Sequence, residues 1–197
     1  MGGLTAAVSA TISRPTMFDS LLRRQLSPYI SLPATRLSTR VSANALTVAA
    51  FVAGAAALPA IGFRKYLIGL ALLAVARILD ALDGPVARAR GTQPFGAYLD
   101  QVLDLVLGAA VPFTFALAAP DRALAAMFLM LGLVARAATA ATPPGAPAQT
   151  NWIGKTELFV AFALACIFPD RFSVIAYVVG VLCFVSAGQR MAAVASS

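Results

Sequence analysis

The sequence predicts an all-α integral membrane protein, with six transmembrane helices preceded by an N-terminal amphipathic helix on the membrane surface. Of 197 residues, 60% are apolar and 12% charged, roughly half the charged fraction of an ordinary soluble domain. The apolar residues also gather into runs suited to a bilayer, which takes about 20 residues of helix to cross. Short polar or proline-bearing connectors separate those runs.

Residues 1–16, MGGLTAAVSATISRPT, have neither a charged n-region nor an apolar h-region. They are expected to form a flexible tail rather than a secretory signal. The membrane domain then covers 17–197. Its first part, about 17–40, mixes Phe18, Leu21, Leu22 and Leu26 with Arg23, Arg24, Arg36 and Arg40. That composition is too polar to cross and too apolar for a linker, so it is expected to lie on the surface, broken around Pro28 and Pro33.

Span one runs from about Asn44 to Phe63 and stops at the basic pair Arg64 and Lys65. Span two starts at Tyr66, an interfacial anchor, and continues to about Arg90. The turn ARGTQPF leads into span three, Gly96 to Ala118, and span four covers Arg122 to about Ala141. The connector TPPGAPAQTN cannot stay helical. Span five starts near Trp152, a second interfacial anchor, and ends at Phe168; span six runs from Phe172 to about Val194. Small-residue runs such as AGAAALPA permit close helix packing.

The net charge of +7 is spread thinly and flanks the apolar runs, which suits anionic headgroups rather than nucleic acid. With the N-terminus inside, ten basic residues are cytoplasmic: Arg14, Arg23, Arg24, Arg36, Arg40, Arg88, Arg90, Arg136, Lys155 and Arg190. Four lie on the far side: Arg64, Lys65, Arg122 and Arg171. This bias predicts cytoplasmic termini and a cytoplasmic connection between spans two and three. Cys166 and Cys183 lie in apolar runs without CxxC spacing and read as small core residues. There is no histidine, which excludes imidazole bases, histidine metal ligands and Ser/His/Asp triads.

Four of the eight acidic residues, Asp80, Asp83, Asp100 and Asp104, fall within 25 positions. The i, i+3 and i, i+4 spacings put each pair on one helix face, and antiparallel neighbouring spans bring the pairs together. Four such carboxylates cannot all stay ionised without cations. Two divalent ions balance them, and hard oxygen donors suit Mg²⁺ or Mn²⁺. Spacing alone leaves other readings open: a proton- or cation-coupled transporter using the same carboxylates, or structural pairing with Arg77, Arg88 or Arg90.

The pattern Asp80-x-x-Asp83-Gly84-x-x-Ala87-Arg88, then Gly96-x-x-x-Asp100-x-x-x-Asp104, resembles the signature of the CDP-alcohol phosphotransferases (CDP-alcohol phosphatidyltransferases). The resemblance implies transfer of a substituted phosphoryl group from a CDP-linked donor to an alcohol, with release of CMP. It implies that Asp80, Asp83 and Asp100 ligate metal. Asp104 would be the general base, with a share in metal binding. Gly84 and Arg88 would touch the CDP donor, and Thr92 is a loop candidate. Ala43, Asn44 and Thr47 resemble the family's nucleotide-binding Pro-Asn-x-x-Thr element, with Ala43 replacing the proline.

The chain's size resembles bacterial members that use CDP-diacylglycerol, in the cytoplasmic membrane with the site on its cytoplasmic face. The resemblance also implies a homodimer. Arg136, Lys155, Glu157 and Arg190 are candidates for a small polar acceptor. WIGKTELF resembles the basic-x-Glu element of inositol-phosphate-using members, with Lys155 where arginine is usual. Three cations favour a phosphorylated acceptor such as inositol phosphate or glycerol 3-phosphate.

Overall fold

The computed structural model describes residues 42–90, 94–140 and 153–195. The tail, the surface helix, Thr92 and Trp152 lie outside the described residues, and so does the side chain of Arg88. The described chain forms six α-helices: α1 Ala43–Gly62, α2 Tyr66–Arg90, α3 Pro94–Ala118, α4 Ala123–Ala138, α5 Lys155–Ile167 and α6 Phe172–Ala195. Single 3-10 turns, Pro120–Arg122 and Pro169–Arg171, precede α4 and α6. The helices match the six predicted runs to within a few residues at each end.

By length and composition, Ala43–Gly62, Tyr98–Ala118 and Pro169–Ala195 can each cross a membrane. The other three helices fall short for different reasons. The second half of α2 carries Arg77, Asp80, Asp83, Arg88 and Arg90. With 16 and 13 residues, α4 and α5 extend about 24 and 20 Å at 1.5 Å per residue, less than a hydrocarbon core of about 30 Å. Large apolar side chains such as Leu67, Leu117, Leu124, Met127 and Val174 are exposed around the bundle. An exterior carrying so many exposed apolar side chains suits lipid rather than water.

Local chemistry explains the helix ends. The Ser42 side chain accepts from the Ala45 amide at 3.2 Å and caps α1. At its other end, Lys65 N–H donates to Ala60 O at 2.7 Å and Arg64 N–H to Ile61 O at 2.8 Å. These are the two bonds of a Schellman motif. Arg64 takes the left-handed position, with φ of 60°, where glycine is usual. Its guanidinium donates twice to Ala118 O, at 3.0 and 2.8 Å, and so ties the α1–α2 turn to the end of α3.

Helix α1 packs against α2 and α3, α4 against α3 and α6, and α5 against α2 and α6. Two features hold the end away from the aspartates. Phe115 stacks between Tyr66 and Phe172, with ring centroids 5.6 and 4.4 Å away. Arg122 donates to the Tyr66 hydroxyl at 3.2 Å and to Asp170 at 3.3 Å. Between α4 and α6, Gly132 faces Gly180 so closely that a Cβ on Gly132 would meet the Gly180 carbonyl at 2.9 Å. Only a glycine permits that backbone approach. Cys166 and Cys183 are buried and unpaired.

Candidate active site

The aspartates occupy the halves of α2 and α3 nearest the connection between them. Pro85 interrupts α2 just after Asp83 and Gly84. Having no N–H, it leaves the Ala81 carbonyl without its helical donor in the turn that bears both aspartates. Asp80, Asp83 and Asp100 are each half-buried, and one carboxylate oxygen from each lies within 4.8 Å of the others. Asp104, one turn beyond Asp100, joins the cluster through Lys155 rather than as a member of that trio.

Lys155 is the first residue of α5. Its ammonium donates to Asp80 Oδ1 at 3.1 Å and to Asp100 Oδ2 at 2.8 Å, and lies 2.5 Å from Asp104 Oδ2. Arg77 donates to the other oxygen of Asp80 and, at 3.0 Å, to the Thr156 hydroxyl. Asp83 Oδ2 lies 2.9 Å from the Thr47 hydroxyl, which also sits 3.1 Å from Ala43 O. One hydroxyl proton therefore serves two acceptors. Across the same end, a Cβ on Gly96 would approach Asn44 Oδ1 to 2.7 Å, so glycine there lets the Asn44 side chain pass between α1 and α3.

A carboxylate cluster of this kind suits a divalent cation. The donors are hard oxygens, three of them converge, and the cluster already gathers cationic side chains around itself.

The candidate acceptor residues separate into two groups. Lys155 belongs with the aspartates. Glu157 accepts from the Gly154 amide at 2.9 Å and caps α5, a local structural contact. Arg136 and Arg190 form the second group. Arg190 is buried at 6% exposure and donates to Arg136 O at 3.1 Å, while Arg136 donates to Ile153 O at 3.2 Å. Arg136 Nε is buried without a hydrogen-bond partner among the described residues, and neither guanidinium has a carboxylate partner there.

Sequence reasoning placed Thr47 with a nucleotide and Lys155 with an acceptor; here both contact aspartates. It missed Thr156 altogether, and it weighed Arg77 only as a generic arginine partner. The i, i+3 spacing of Arg77 and Asp80 was the available signal. Nothing local in the sequence announces the contact of Thr156, which depends on how α5 docks against α2.

The family model described as CDP-alcohol phosphatidyltransferase matches residues 40–190. The chain is 34% identical over 194 residues to the inner membrane protein YnjF of Escherichia coli, covering 87% of this chain and 94% of that one. It is 38% identical over 88 residues, 44% of each chain, to an archaetidylinositol phosphate synthase of Aeropyrum pernix. The fold superposes on the crystal structure of Mycobacterium tuberculosis phosphatidylinositol phosphate synthase with CDP-DAG bound. The TM-score is 0.69 at 22% identity, with 84% of this chain and 92% of that chain covered. With the motif intact, the helices matched and the family model spanning most of its length, the chain belongs to the CDP-alcohol phosphatidyltransferase family and is a membrane-embedded transferase of that kind.

Proposed function

We propose that the chain transfers a phosphatidyl group from CDP-diacylglycerol to a small phosphorylated alcohol, releasing CMP at the cytoplasmic face of the membrane. The observation that carries this is the convergence of Asp80, Asp83 and Asp100 within 4.8 Å, at the ends of two helices that lead out of an apolar bundle. Asp80, Asp83 and Asp100, with a share from Asp104, would hold two Mg²⁺ or Mn²⁺ ions. Bound there, the ions would supply Lewis-acid stabilisation of the donor's diphosphate and of the charge that develops as CMP departs.

The protein's own groups do the rest. Asp104 takes the proton from the acceptor hydroxyl, from a position one helical turn along the same face as Asp100. Thr47 orients Asp83 through their hydrogen bond at 2.9 Å, as an outer contact orients a metal ligand. Gly84, Asn44 and Thr47, on the cytoplasmic ends of α1 and α2, contact the nucleotide, with Ala43 at the proline position of that element; Arg88 is assigned the same role by its place in the motif. Two acyl chains stay in lipid along the apolar exterior, while the diphosphate reaches the carboxylates.

Arg136 and Arg190 support an acidic acceptor. Two adjacent guanidiniums, one of them almost fully buried, carry a desolvation cost that an anion would offset. Guanidinium donors match phosphate oxygens. The names of the Aeropyrum pernix relative and of the mycobacterial structure both specify an inositol phosphate lipid as product, which supports that class of acceptor. A homodimer is part of the same reading.

The test is CMP release by the purified full-length protein in nanodiscs, supplied with CDP-diacylglycerol, Mg²⁺ or Mn²⁺ and a panel of alcohols. The panel spans inositol 1-phosphate, glycerol 3-phosphate, free inositol and serine. Turnover is expected with the phosphorylated alcohols. Turnover with serine or free inositol alone would refute the acceptor assignment. Donor binding without CMP from any acceptor would refute the reading as a whole.

A further inference from the structure

Lys155 stands where cations are expected. Its ammonium has three N–H donors, and three carboxylates, those of Asp80, Asp100 and Asp104, lie 3.1, 2.8 and 2.5 Å away. Asp80 and Asp100 also belong to the converging trio. A divalent ion at that trio and the ammonium therefore draw on the same two carboxylates, and like charges so close repel.

We propose that Lys155 is a displaceable counter-cation of the aspartate cage: it holds the carboxylates together until divalent ions enter, then withdraws, and thereby sets the cage's affinity for metal. The inference rests on the reading of the four aspartates as a divalent-metal site. Lysine suits the task, being a point charge on a flexible four-carbon stem. Its side chain is 40% exposed, so it has somewhere to go. Arg77 is different, because its guanidinium bridges Asp80 to Thr156 and has a second anchor when the cage changes.

The chain contains only two lysines, Lys65 and Lys155, and Lys65 lies in the turn between α1 and α2, at the opposite end of the bundle. Chelator-treated full-length protein in nanodiscs is pulsed with an N-hydroxysuccinimide acetate, with and without Mn²⁺, and acetylation at each lysine is read by mass spectrometry. Mn²⁺ is expected to raise the rate at Lys155 by about fivefold or more, the lower end of ordinary site-to-site coupling, and to leave Lys65 unchanged. Mn²⁺ uptake is followed separately, by loss of the free-ion electron paramagnetic resonance signal. Uptake without a change at Lys155 overturns the inference and leaves the proposed function standing. Folded wild-type protein that takes up no Mn²⁺ overturns both.

The second measurement uses Lys155→Met. A competitor that occupies the cage most of the time reduces apparent affinity by the fraction of open cages. Removing it is expected to tighten Mn²⁺ binding about tenfold. Equal or weaker binding by the variant overturns the inference. Should that variant not fold, the acetylation experiment on the wild type decides.

Discussion

Substituting Gly132 by alanine tests how tightly α4 and α6 are joined, because the same substitution at Gly188 provides a matched control. A Cβ on Gly132 would lie 2.9 Å from the Gly180 carbonyl, 3.1 Å from Cys183 Cβ and 3.3 Å from Gly180 Cα. The nearest obstacle is backbone, so the helices must part by about 0.5 Å to restore an ordinary 3.4 Å contact. At Gly188 nothing lies within 4 Å. Both variants gain about 1 kcal/mol of helix propensity, which cancels between them. Overpacking then separates them by about 1–3 kcal/mol. At about 2–4 °C per kcal/mol for a chain of this length, their melting points should differ by about 2–12 °C. A thiol-reactive fluorophore reads the transition directly, since Cys166 and Cys183 become reactive only on unfolding. Gly132→Ala should melt at or below the wild type, by up to about 2 kcal/mol after the propensity gain is offset, and Gly188→Ala at or above it. A Gly132→Ala protein as stable as Gly188→Ala would refute the close backbone approach.

Other outcomes follow from the cage and its neighbours. Asp104→Asn is expected to abolish CMP release while retaining Mn²⁺-dependent binding of CDP-diacylglycerol, whereas Asp80→Asn or Asp83→Asn should weaken that binding itself; equal, mild losses at all positions would contradict these roles. Thr47→Val removes the hydroxyl beside Asp83 Oδ2 and should weaken Mn²⁺ binding by about tenfold, the lower end for outer-contact losses. Arg190→Gln should raise KM for a phosphorylated acceptor about tenfold or more, since charged hydrogen bonds contribute about 1.5–3 kcal/mol, with KM for CDP-diacylglycerol unchanged. Equal rises in both constants would point to general distortion.

The helices were legible because lipid imposes long apolar runs, and Arg64–Lys65, Arg122 and Arg171 mark the breaks between them. The aspartates were legible for a related reason: charges in an apolar bundle are conspicuous, and their i, i+3 and i, i+4 spacings fix a shared face. The placement of Lys155 was not legible. A lysine at the start of a helix reads as an interfacial residue, and only the docking of α5 against α2 brings it onto residues 75 and 55 positions earlier. The contact of Arg136 with Arg190 was not legible either, since the sequence named both only as acceptor candidates alongside Lys155 and Glu157. Its intimacy, a guanidinium donating to the other residue's backbone carbonyl, depends on Gly132 and Gly180 letting their helices touch. Glycines in an apolar run give no sign of which helix they face.

The stacked rings of Tyr66, Phe115 and Phe172 fasten the roots of three helices, two of which bear the aspartates. From Tyr66 to Asp80 the helical rise amounts to about 21 Å. Over that lever arm a tilt of only about 5° carries a carboxylate about 2 Å, enough to make or break a hydrogen bond. With the roots clamped, the position of the carboxylates depends on the ties at the far end, where Thr47 reaches Asp83 from α1 and Lys155 reaches Asp80 and Asp100 from α5.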